Sequence, residues 1–123
     1  MEEKNIITVK GVWLMSSKPS KRVVEITRDV VAEAKEVKGK CSAGIKEGDK
    51  IVIRGANISL EESDNVCGYA LANIMPTIFA VRLGVDLEEL GLKERLWQCV
   101  DPGPPYTEGG TVLFEVYPLK ENE

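Results

Sequence analysis

The residues of this chain best suited to chemistry are three cysteines, Cys41, Cys67 and Cys99, because its composition removes most alternatives. There is no histidine. That excludes Ser-His-Asp and Cys-His catalysis, histidine-ligated zinc and imidazole proton shuttles. No Walker loop and no G-x-G-x-x-G turn occurs, so the usual nucleotide cradles are missing. Thiolates are soft ligands and good nucleophiles. Three of them gathered together could bind zinc or an iron–sulfur cluster, or act as redox or nucleophilic groups. The spacing contains no Cys-x-x-Cys pair, and structural zinc takes four N or S ligands. A fourth ligand would have to be Asp101, Asp49, water or a partner's residue. The competing reading makes the cysteines small buried side chains, since free cysteine is among the most buried residue types. A structural disulfide would leave one cysteine over.

Four other residues carry a chemical and a plain reading each. Asp49, after Gly48, is a catalytic carboxylate or a turn former. Asp101, before Pro102, is a ligand beside Cys99 or a loop cap. Lys46 binds an anion near the turn or is simply solvated. Arg82 ends an apolar stretch, where it would meet helix carbonyls or a carboxylate. Trp97 and Tyr69 read as core or interface side chains.

The elements that must position these groups follow from pattern. Ile6-Ile7-Thr8-Val9 and Val12-Trp13-Leu14-Met15 suggest one strand or hairpin, followed by a loop from Ser16 to Ser20. β-branched residues among charges predict a strand from about Val30 to Val37, although Ala32-Glu33-Ala34-Lys35-Glu36 also has good helix propensity. Lys46-Glu47-Gly48-Asp49 is a turn, and Lys50–Arg54 a strand broken by Gly55. Ser59-Leu60-Glu61-Glu62 fits a capping box, with Ser63 or Asn65 as further caps. A helix is predicted from about Asp64 to Leu83, kinked or broken at Pro76 and closed by Gly84. It has no charge between its ends and apolar residues on nearly every face. Such a helix must be covered all round, by a sheet on one side and by the N-terminal segment or another subunit on the other. A helical turn over Asp86–Leu90, a strand at Leu96–Cys99, a rigid loop at Asp101–Pro105 and a cleanly alternating strand at Thr111–Tyr117 complete the pattern.

Three of these segments together resemble a family of small uncharacterised proteins. Cys41-Ser42-Ala43-Gly44-Ile45-Lys46-Glu47-Gly48-Asp49 is similar to its Cys-x-Ala-Gly-x-Lys-x-Gly-Asp motif. Cys67-Gly68-Tyr69-Ala70-Leu71 is similar to its Cys-Gly-x-Ala-Leu helix. Cys99-Val100-Asp101-Pro102 is similar to its Cys-Pro-Asp-Pro loop, with Val100 in place of the first proline. The resemblance runs from about Val30 to Tyr117. It implies a core at residues 30–118, an N-terminal extension over 1–29 and a charged tail over 119–123. It implies an architecture and three cysteine positions, but no reaction.

The 123 residues are enough for one domain that buries roughly two-thirds of its unfolded surface. A net charge of -4 and scattered basic residues argue against a nucleic-acid partner. The charged opening Met1-Glu2-Glu3-Lys4-Asn5 reads as no secretory leader, and no apolar run reaches bilayer length, so a cytoplasmic location without membrane contact is expected. The expected fold is α+β: an antiparallel sheet of four or five strands on one long, kinked, buried helix. A small barrel is the competing fold. Three functions stay open. The first is an accessory or structural subunit, homo-oligomeric or in a complex through the Asp64–Leu83 helix. The second is a metal, iron–sulfur or redox protein using Cys41, Cys67 and Cys99. The third is a small-molecule binding module with a pocket between the helix start and the Asp101 loop. With so few catalytic groups, a stand-alone enzyme is the lesser expectation.

Overall fold

The computed structural model describes residues 28–120, and the N-terminal strand or hairpin expected at 6–15 lies outside them. Five strands form one antiparallel sheet in the order β3-β2-β1-β5-β4. They are β1 (Val30–Lys38), β2 (Lys50–Arg54), β3 (Asn57–Ile58), β4 (Leu96–Gln98) and β5 (Thr111–Pro118). One helix, α1 (Gly68–Arg82), and two short 3₁₀ turns at Leu87–Leu90 and Lys93–Arg95 complete the described elements. The α+β expectation holds. Among the described residues the sheet is open, with β3 and β4 at its edges, and does not close into the barrel weighed as the alternative.

β1 is a strand and not a helix because alternation outweighs the propensity of its Ala/Glu/Lys stretch. Val30, Ala32 and Ala34 are buried in the cluster that also holds Ile51, Val112, Phe114 and Val116. Strict alternation would then bury Glu36. The pairing with β5 shifts between Ala34 and Glu36, so Lys35 is an extra residue in the ladder. The bulge reverses the parity. Val37 pairs Val112 and packs against the core, while Glu36 pairs Leu113.

Helix α1 lies against the sheet through Ala70, Ile74, Thr77, Ile78 and Val81, one stripe at helical spacing. Thr77 is tolerated there because its hydroxyl donates to the Ile74 carbonyl at 2.7 Å. The helix is shorter than expected, at 15 residues. Its predicted first turn is committed elsewhere. The Asp64 carboxylate accepts the Lys50 amide at 2.9 Å, and the Ser63 hydroxyl accepts the Val52 amide at 2.8 Å. Both side chains therefore serve the outer edge of β2 and do not cap the helix. Ser59 and Glu62 do bond, Oγ to Oε2 at 2.7 Å, but they close a turn without a helix behind it. Pro76 sits inside the helix, which continues through it to Arg82. The far end follows expectation. Gly84 adopts φ 95°, its amide bonds the Val81 carbonyl, and the Val85 amide bonds Ala80, which is a Schellman ending.

Among the described residues the far side of the helix is open, with Tyr69 79% exposed, Phe79 57% and Met75 40%; the N-terminal segment expected to cover it lies outside the described residues. No helix among the described residues is long and apolar enough to cross a membrane.

Candidate functional site

The antiparallel topology brings the three cysteine positions to one end of the sheet. Cys41 follows β1, Cys99 follows β4, and Cys67 is the N-cap of α1. The loops meet there by backbone approach. A Cβ on Gly110 would stand 2.7 Å from the Lys38 carbonyl oxygen and 2.8 Å from the Cys41 amide nitrogen. The Asn65 amide donates to the Ala43 carbonyl at 3.2 Å, tying the segment before Cys67 to the segment after Cys41.

Being at one end does not make the thiols a ligand set. Among the described residues, no group of three or more His, Cys, Asp or Glu side chains could hold a metal ion. Cys99 is buried and has a structural task. Its amide donates to the Val112 carbonyl at 2.9 Å, and its sulfur receives the Val112 amide at 3.3 Å. The thiol thereby ends the β4–β5 ladder with a soft acceptor. Cys41 and Cys67 are free and half-buried, and both pack against the core cluster.

The other expected site residues take the following places. One carboxylate oxygen of Asp101 accepts the Gly103 amide at 2.8 Å and the Thr107 hydroxyl. These two bonds, the hydroxyl first, hold Asp101 below the usual carboxylate range, so it is an ionised organiser of its loop. Asp49 accepts the Lys46 amide at 2.9 Å and closes the turn. Lys46 itself is exposed. The backbone carbonyl of Arg82 accepts the Arg28 amide at 2.9 Å, and its side chain lines a groove described below. Trp97 joins core and helix: its indole donates to the Asn73 carbonyl at 3.1 Å, and Asn73 returns a bond to the Gln98 carbonyl at 2.8 Å.

The sequence reading passed over two features. One is an ion cluster in which Arg54 bridges Glu62 and Asp29. Arg54, then Ser59, hold Glu62 down to a pKa of about 2, and the two carboxylates push the guanidinium further up. The other is a groove of ≈ 570 Å³ between the outer side of α1 and the β2–β3 edge. Met75, Phe79 and Arg82 form its helix wall, and Ile53, Gly55 and Ile58 its sheet wall. The signal for the helix wall was in the sequence, as apolar residues in excess of one buried stripe. The sheet wall carried no comparable signal, since Gly55 read only as the break after the Lys50–Arg54 strand. Two shallower hollows, ≈ 380 Å³ and ≈ 290 Å³, flank Asn73 and Val100 near the helix start.

Comparisons of the chain with protein-family models, curated proteins and solved structures return no match.

Proposed function

We propose that this chain is a small accessory subunit that works by taking an apolar polypeptide segment onto the outer side of α1. One observation carries the reading. A helix with no charge from Gly68 to Val81 turns Met75 and Phe79 outward along a groove whose other wall is also apolar, and Tyr69 outward beside a separate hollow near its start. Scattered exposed apolar side chains need no explanation, but a contiguous row beside a hollow marks an interaction surface. The hot-spot chemistry fits as well, since aromatic and Met side chains are enriched at such surfaces. The candidate catalytic groups point the same way by their occupations: Asp101 and Asp49 hold loops, and Cys99 holds a strand end.

The test is Phe79→Asp in the full chain, read by sedimentation and by amide exchange. A docking surface loses the mass or the protection of whatever covers it, while the sheet stays protected. If the variant matches the parent in mass, in exchange and in melting temperature, the face docks nothing and the reading is wrong.

A further inference from the structure

Resting on that reading, we infer that the segment filling the groove is the chain's own Ile6–Met15, docked in the same molecule. Two hydrogen bonds fix where the described chain begins. The Arg28 amide donates to the carbonyl of Arg82, on the helix wall, at 2.9 Å. The next residue, Asp29, accepts the amide of Gly55, on the sheet wall, at 2.7 Å. Arg28 and Asp29, the first described residues, are therefore bonded to one residue of each wall, and Arg28 also lines a neighbouring hollow with Val81, Gly84 and Pro118.

Reach and composition agree. Twelve residues from position 27 back to Met15 span up to about 40 Å when extended. The whole of α1 is about 22 Å long at 1.5 Å per residue. The segment offers Ile6, Ile7, Val9, Val12, Trp13 and Leu14, an apolar supply matched to an apolar groove. Attachment in the same chain also gives the segment an effective concentration in the millimolar range, which a separate copy reaches only when highly concentrated.

The experiment is hydrogen–deuterium exchange on the full chain at two concentrations about tenfold apart, with sedimentation of the same samples. The expected result is a monomer whose residues 6–15 are protected equally at both concentrations. Phe79→Asp in the groove, and separately Leu14→Asp in the segment, should each speed exchange at 6–15 by at least about tenfold. Exchange in β1 and β5 should not change, which shows that both variants still fold. Protection of 6–15 that grows with concentration, together with a dimer, would overturn docking in the same molecule and leave the groove as a docking surface between copies. A protected groove with an unprotected segment would also overturn the inference while sparing the wider reading. If neither variant changes exchange anywhere, both fall.

Discussion

Gly110→Ala tests how the cysteine end of the sheet is held together. The added Cβ would meet three backbone atoms, Lys38 O at 2.7 Å, Lys40 N at 2.7 Å and Cys41 N at 2.8 Å. Ordinary carbon contact starts near 3.4 Å, so the two segments must part by about 0.6–0.7 Å. None of the three atoms belongs to a side chain that could swing away. All sit next to the first β1–β5 pair, Lys38 with Thr111, so the strain reaches the central ladder. Overpacking of this kind costs about 1–3 kcal/mol. For a chain of this size that lowers the melting temperature by roughly 3–8 °C per kcal/mol. The assay is urea unfolding followed by tryptophan fluorescence, with Gly68→Ala alongside. A Cβ at Gly68, the first helical residue, meets nothing within 4 Å. There alanine should be neutral or stabilising by up to about 1 kcal/mol. Opposite signs at the two glycines are expected. An unchanged midpoint for Gly110→Ala would mean that the loops yield freely and do not approach each other rigidly.

Two more predictions follow from the side chains. Glu62 is depressed from 4.5 to about 2 by Arg54 and Ser59, so its contribution to stability is complete above pH 4.5 and is lost as pH falls toward 2. The melting temperature of Glu62→Gln should lie below the parent's at pH 6 and converge with it near pH 2; a gap independent of pH would point to lost packing instead. In the native chain, a thiol reagent should modify Cys41 and Cys67 and spare Cys99 until the protein unfolds, because only Cys99 is buried. Mass spectrometry of partly labelled protein reads this directly, and early labelling of Cys99 would contradict the closed end of the β4–β5 ladder.

What the sequence disclosed depended on whether a residue's role was set by its neighbours in the chain. β5 was legible because Val112, Phe114 and Val116 alternate with outward residues, and the 3₁₀ turn because Asp86 and Gly91 cap it locally. The helix start was misplaced because Ser63 looks like a local cap and Asp64 like the first helical residue, whereas both side chains bond to β2, at sequence separations of 11 and 14. The phase change at Lys35 was hidden for the same reason, since only pairing with β5 reveals the extra residue. At the candidate site, the gathering of the cysteine loops at one end was legible from strand and helix order. The occupation of Asp101 by Thr107 and of the Cys99 sulfur by Val112 was not, because each is a contact made by folding. The groove needed a second wall from a distant strand, and no pattern in α1 alone could supply it.

The tie between β2 and the Ser59–Asp64 segment has a consequence for how this molecule can assemble. An open sheet usually carries a hazard at its borders, where unpaired amides and carbonyls invite a foreign strand. Here the Val52 carbonyl receives the Ser59 amide and the Lys50 carbonyl that of Asp64, while the two side chains take the Lys50 and Val52 amides. The border is thus sealed by the chain's own next turn, a blunting that uses two short polar side chains in place of a full strand. The opposite border, β4, is three residues long and is anchored to α1 through Trp97 and Asn73. Among the described residues, then, the stretch of β2 beyond the two-residue β3 is already occupied and β4 is short, so both margins give a foreign strand little length to pair with.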